Sequence, residues 1–221
     1  RYGIIKFQEI VSQNPQRGEL KVISEWVDVH GDVLLKEETS YVFSGNADMR
    51  SITRTAVLRA VQTVTFKESK EGMLAIRMDR AFEEPYKKPS KLTDANGIPM
   101  EEPTINNDGL NGVYHNADGA VGADVWGKRS SWVSLRATKE GEKISITIFD
   151  NKQNLNYPAW WHARGYGLFA VNNLGGREFD KTASEVKKVL MPGDILTFTY
   201  KVVIGGDLSD EELNKIAKDF H

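Results

Sequence analysis

The densest chemistry in the chain lies between Tyr157 and Asn172, in Tyr-Pro-Ala-Trp-Trp-His-Ala-Arg-Gly-Tyr-Gly-Leu-Phe-Ala-Val-Asn. Within it, Trp160, Trp161, His162, Arg164 and Tyr166 bring two indoles, an imidazole, a guanidinium and a phenol close together. Large amphipathic rings beside a fixed cation and a titratable nitrogen suit a pocket that stacks on a polar ring-shaped ligand and hydrogen-bonds to it. Read as a strand, period-two alternation puts Trp160, His162, Arg164 and Tyr166 on one face. Trp161, Ala163, Gly165 and Gly167 then take the other, where glycines allow a neighbouring layer to approach closely. The same residues also fit a sandwich strand whose rings are core and whose polar groups are satisfied structurally. As a set they favour a site.

Two other stretches carry matching chemistry. Val125-Trp-Gly-Lys-Arg-Ser-Ser-Trp-Val133 repeats the pairing of aromatic and cation. There Trp126 can offer a stacking face, and Lys128 and Arg129 contacts to anions or hydroxyls; a buried indole with snorkelling cations is the plainer alternative. Ser69-Lys70-Glu71-Gly72 sets a carboxylate between a lysine and a glycine at a strand entrance. Glu71 there suits a general base or hydroxyl acceptor that Lys70 holds ionised, although charged turns of this kind are common. The expected arrangement has Trp126, Arg129, His162 and Arg164 lining one concave surface, with Glu71 and Lys70 at its rim. His162 should titrate low there, desolvated by its tryptophan neighbours and repelled by Arg164, unless Glu71 lies close enough to offset both.

Composition removes several classes. With 29 Lys and Arg against 31 Asp and Glu, the formal net charge is -2. No basic block stands out, so a nucleic-acid footprint is lacking. No apolar run approaches the ~20 residues of a membrane span. The absence of cysteine rules out disulfides, thiolate zinc sites and cysteine nucleophiles. His30, His115, His162 and His221 are too scattered for a local metal motif, and nothing in the sequence calls for a cofactor. The chain opens at Arg1 inside strand-like sequence, as a trimmed or processed piece would, and a periplasmic or secreted location is open if a leader preceded it.

The elements that must position these residues read as β throughout. Ile4 to Ala60 alternates in long strands, broken by Asn14-Pro-Gln-Arg-Gly18 and by the hairpin signal His30-Gly31-Asp32. His30 reads as a solvated turn residue. Trp132 to Ala137 and Lys143 to Asp150 form a hairpin across Glu140-Gly141, and Ile195 to Ile204 a closing strand. Arg80 to Asp108, with Pro85, Pro89, Pro99 and Pro103, is a long irregular stretch, functional or mobile. One helix is expected at about 209–219, with Ser209 and Glu212 as a capping box and Leu213, Ile216, Ala217 and Phe220 as its apolar stripe. Strands joined by short turns mean antiparallel sheets, and nothing divides residues 1–221 into more than one domain.

Gly112-Val-Tyr, Val125-Trp-Gly-Lys-Arg129, Ser69-Lys-Glu-Gly72 followed by Arg77, and the 157–172 stretch together resemble a bacterial family often labelled PmoA-like, or methane oxygenase PmoA. The resemblance runs over nearly the whole chain. It implies a large antiparallel β-sandwich of the galactose mutarotase-like supersandwich type, and a setting in glycan metabolism. Members usually begin with a further segment carrying a His-His-Arg-Gly motif, which this chain lacks. The oxygenase label fails on chemistry, since a membrane copper oxygenase needs spans and clustered histidines.

Two functions follow. In the first, the protein is an epimerase, lyase or hydrolase acting on a sugar. His162 would be its general acid or base, with Glu71 as partner. Arg164 and Lys128 would stabilise an oxyanion, enolate or carboxylate, with Trp126 and Trp160 as stacking floor. Lys70, Arg77, Arg129 and Tyr166 complete the substrate-binding set. In the second, a binding or assembly module holds a carbohydrate with the same groups and does no chemistry. The imidazole and Glu71 facing each other across a ligand-sized gap would favour the enzyme.

Overall fold

The protein, seen as a computed structural model, is described over residues 3–87, 98 and 106–220. Of the long proline-containing stretch, Pro89, Pro99 and Pro103 lie outside the described residues. Thirteen strands are found there: β1 (Ile4–Asn14), β2 (Glu19–Val27), β3 (Val33–Gly45), β4 (Met49–Ala60), β5 (Val64–Phe66), β6 (Leu74–Arg77), β7 (Val113–Asn116), β8 (Trp132–Lys139), β9 (Glu142–Asp150), β10 (Trp160–Arg164), β11 (Leu168–Asn172), β12 (Lys188–Leu190) and β13 (Ile195–Gly205). One helix, α1 (Asp210–Asp219), follows.

Eight strands form one antiparallel sheet in the order β1-β2-β3-β4-β13-β9-β8-β7. Facing it are a three-stranded sheet, β10-β11-β6, and a two-stranded one, β12-β5. The tight turns fall where their residues demand. Glu140 and Gly141 take φ of 55° and 84° in the β8–β9 hairpin, the positive values a two-residue turn requires. The Asp28 carboxylate accepts from the His30 and Asp32 amides at 2.8 and 3.0 Å, closing the β2–β3 turn and leaving His30 exposed.

The core lies between the layers. Trp161, Ala163, Phe169 and Val171 from the small sheet pack with Val133, Leu135, Ile148, Phe198 and Tyr200 of the large one. Trp161 and Phe169 are fully buried, each worth about 1.5–3 kcal/mol as apolar burial. The opposite face of the large sheet buries Trp132, Phe149 and Val203 against Leu213 and Phe220. Ser209 and Glu212 make the expected capping box. Arg136 donates to Leu208 O and Asp210, and Trp132 Nε1 to Asn214, which pins α1 to β8. The expected all-β antiparallel sandwich with a single C-terminal helix is the fold observed. No described helix is long and apolar enough to cross a membrane.

Candidate functional site

The alternation expected from Trp160 holds through β10. Trp161 and Ala163 face the core, and Trp160, His162 and Arg164 face outward from the small sheet. Cross-strand pairing sets His162 beside Ala170 of β11, which pairs with Ala75 of β6. Only methyl groups therefore flank the imidazole along that row. The face ends at Arg164. Tyr166 was expected on it but lies in a turn where Gly167 takes φ 78°, exposed, with the Arg77 guanidinium 5.4 Å over its ring. Arg77 also donates to Tyr166 O at 3.0 Å, so these two form a pair of their own at the sheet's end.

A loop closes over the imidazole from each side. Residues 127–130 run along β10: Gly127 N donates to Trp161 O, Trp161 N to Lys128 O, and Ser130 N to Ala159 O. This seam brings Trp126 to the outer face, its ring 6.5 Å from His162 and edge-on. From the other side comes Phe179, 5.8 Å from His162 and 5.4 Å from Trp126, again edge-on to both. The Arg164 guanidinium lies 5.0 Å over the Trp126 ring. Trp126, His162, Phe179 and Arg164 thus form one aromatic and cationic box, with His162 only 4% exposed.

The segment holding Lys70 and Glu71 is tied to the end of β11. Asn172 Nδ2 donates to Ser69 O at 2.8 Å, its Oδ1 accepts from Leu174 N, and Ser69 N donates to Leu174 O. That anchoring presents Lys70 O to His162 Nδ1 at 3.0 Å. A carbonyl can only accept, so Nδ1 carries the proton and Nε2 keeps its lone pair. Burial pushes the imidazole below its ordinary range and the Arg164 charge adds to this, against the Lys70 carbonyl and the Glu71 charge, which pull it up. No described residue bonds Nε2. Two donors nearby are buried without a partner, Trp126 Nε1 and Arg164 Nε, each a cost of about 1–3 kcal/mol while it stays so.

The remaining candidates are placed differently. Arg129 donates through Nε to Pro158 O and through Nη2 to Asn156 O and Tyr157 O, while lying 4.6 Å over the Trp160 ring. It clamps the 156–158 loop and leaves little of its fork for a ligand. Trp160 is buried among Leu174, Val186 and Phe179, so Trp126 is the half-exposed ring of the pair. Lys70, Glu71 and Lys128 are exposed around the box. Glu71 makes no ion pair or hydrogen bond to His162; its backbone N–H donates to Ser69 Oγ at 3.0 Å.

Phe179 escaped the sequence reading, since nothing periodic surrounds it between Asn173 and Val186. Its support is Glu68, whose Oε1 accepts from the Arg177 and Val186 amides at 2.9 Å each, drawing the 176–186 loop onto the 67–70 segment. Those amides hold the Glu68 carboxyl below its usual range. Asp150 was also missed. Its buried carboxylate accepts from Asn154 Nδ2 at 2.7 Å, Ala159 N at 2.8 Å and Asn173 Nδ2, fixing the loop that enters β10. Burial pushes it up to about 6 against those donors.

Among the described residues, no group of three or more His, Cys, Asp or Glu is arranged to hold a metal ion. A separate hollow of about 220 Å³ on β8 and β9, lined by Arg136, Lys143 and Asp207, offers no free charge. Its cations already pair, Lys143 with Asp207 at 2.8 Å and Arg136 with Asp210 at 3.0 Å.

Fold and site define an all-β antiparallel sandwich with a buried histidine on the outer face of its smaller sheet. The chain belongs to the family described as Family of unknown function (DUF6807), which matches residues 1–218. That description carries no oxygenase label. No curated protein matches the chain. Among solved structures, one similar at a distance is a GH36 α-galactosidase from Geobacillus stearothermophilus in complex with raffinose, at 14% identity and TM-score 0.34. It is covered over 93% of this chain and 27% of its own, so this chain spans about a quarter of its length. A second is a protein assigned as an aldose 1-epimerase from Escherichia coli K12, at 13% identity and TM-score 0.35, over 90% of this chain and 68% of that one. At such TM-scores neither likeness assigns an activity.

Proposed function

We propose that this protein binds a sugar ring, or a sugar-derived acid, against Trp126, and that His162 Nε2 exchanges a proton with it as general acid or base. One observation carries this reading. The imidazole is held neutral, with Nδ1–H donated to Lys70 O and its Nε2 lone pair unbonded among the described residues, beside the unpartnered donors of Trp126 and Arg164. A hydroxyl or carboxylic group complements that set, since it can donate to Nε2 and accept from the indole and guanidinium. Arg164 would stabilise negative charge developing on the ligand, with Lys128 contributing from the rim. Glu71 would assist His162 by its charge. Trp126 would supply the stacking face and Trp160 would back it. Lys70, Arg77, Arg129 and Tyr166 would shape the surroundings.

A binding module without chemistry is the second reading, favoured by the exposed Glu71, which reaches no bond with His162. The test is a panel of reducing sugars, uronic acids and oligosaccharides, followed by NMR for binding and for conversion. The enzyme reading expects a ligand that is turned over, and a His162→Ala variant that still binds but has lost turnover. Normal turnover by that variant removes His162 from the chemistry. Binding without conversion by the intact protein replaces the enzyme with the module, and no sugar bound at all overturns both.

A further inference from the structure

The large sheet has two edges of very different character. β7 at one edge is four residues long and is bridged at His115 by Val121. β1 at the other runs for eleven residues and, among the described residues, is paired on one side only, by β2. An edge strand of that length with free N–H and C=O groups is a template for another strand. Its side chains strengthen the case, because Ile5, Phe7 and Ile10 are 58, 62 and 52% exposed.

Bulges in β1 decide how those side chains are arranged. Pairing with β2 sets Ile5 opposite Trp26, Phe7 opposite Ser24 and Ile10 opposite Val22, with register shifts that leave Gln8 and Val11 as extra residues. Ile5, Phe7 and Ile10 therefore share the face of Trp26, although Ile10 would fall on the other in an unbulged strand. Lys6, opposite Glu25, and Glu9, opposite Ile23, share the reverse face. Bulges often protect an edge by twisting it. Here they also make the strand self-complementary.

We propose that two copies of this chain pair through β1, antiparallel about a two-fold axis between Phe7 and Gln8. In that register Ile5 faces Ile10 of the partner subunit, and Lys6 faces Glu9 of the partner subunit. Both contacts occur twice, and both match faces. Sliding the axis by half a residue either way sets Ile5 against the partner's Glu9, or Lys6 against the partner's Ile10. Charge and face thus select one register. The result joins two eight-stranded sheets edge to edge by isologous contact, pairs the free N–H and C=O groups of β1 and sets each Ile5 beside the partner's Ile10 on one face.

Sedimentation velocity on the chain, with circular dichroism to check folding, tests the pairing. The expected result is a dimer in the intact protein. Glu9→Lys, which changes no charge facing β2 within a protomer, sets lysine against lysine twice and should weaken the dimer about tenfold or more. Lys6→Glu should do the same, although it also sets a carboxylate against Glu25 within the protomer; the combined Lys6→Glu, Glu9→Lys chain keeps that clash and should still dimerise more tightly than either single variant. Ile5→Lys should leave a folded monomer. A chain that stays monomeric at its highest soluble concentration overturns the proposal. So does a dimer that all of these variants leave intact, and so does a combined variant no tighter than the single ones.

Discussion

Replacing Gly175 by alanine tests the packing that encloses the imidazole. Gly175 has φ -70° and ψ -48°, which alanine adopts without strain, so any effect is steric. A methyl there would sit within 2.5 Å of Phe179 Cε2 and 3.2 Å from Trp160 Cβ. The Phe179 ring must shift, and its edge-on contacts with Trp126 and His162 are disturbed. Overpacking of this kind costs about 1–3 kcal/mol, which in a domain of this size lowers Tm by about 2–4 °C per kcal/mol. Phe179→Ala alone also destabilises, by the lost packing of a half-buried ring. Because the new methyl enters the space that ring vacates, the double variant should be more stable than the two single costs imply, by about 1 kcal/mol or more. Urea denaturation of the four proteins measures the coupling. NMR titration of His162 supplies a second readout. With Phe179 displaced, the imidazole is better solvated and its pKa should rise toward the ordinary ~6.5. Additivity within about 0.5 kcal/mol, together with an unmoved His162 titration, would refute the enclosure.

Asp150→Asn should change how stability varies with pH. The folded carboxyl titrates at about 6 against an ordinary 3.8, so between those values the folded state holds the extra proton. The wild-type contribution is fully present below the lower value and is lost as pH rises through the upper, by on the order of 3 kcal/mol at most. The stability difference between wild type and variant, measured by denaturant melts at several pH values, should therefore fall across that window; a flat or rising difference contradicts it. Asn172→Ala should free the segment bearing Lys70, at a cost of about 1–3 kcal/mol for the groups left unpaired. Nitrogen-15 spectra should then show His162 as a mixture of tautomers, where a single Nδ1–H form speaks against the role given to Asn172. Where His162 acts as general base, turnover should be level above pH ~6.5 and decline only below it, since its pKa is lowered; a profile that falls at higher pH would point instead to an essential acid.

What the sequence discloses follows from how local its cause is. The cap of α1 needs only Ser209 and Glu212 three residues apart, and the β8–β9 turn only Glu140 and Gly141. Alternation on β10 is legible because a strand's period is fixed by its backbone. It fails at Tyr166 because Gly165 and Gly167 let the chain turn, and a period cannot report where its strand ends. Arg129 reads as a ligand cation, since a guanidinium facing three carbonyls of the 156–158 loop has no local signature. Phe179, Glu68 and Asn172 are farther removed still. Their roles arise when the 176–186 loop and the 67–70 segment meet, between positions about a hundred residues apart in the chain.

That division explains why His162 can be both buried and available. Trp161 and Ala163 are locked between two sheets, so the backbone of β10 is held by the buried core between them. The outward residue between them has no freedom to retreat, and its ring must be satisfied by whatever reaches it. Lys70 O satisfies one nitrogen, and Trp126 and Phe179 enclose the ring from separate loops. Nε2 is bonded by no described residue, and unlike Trp126 Nε1 and Arg164 Nε it is not one of the fully buried atoms without a partner, so it stays open to a ligand. Here the rigid side of the strand fixes position while the loops exclude water, and the nitrogen left without a partner is the one that can exchange a proton.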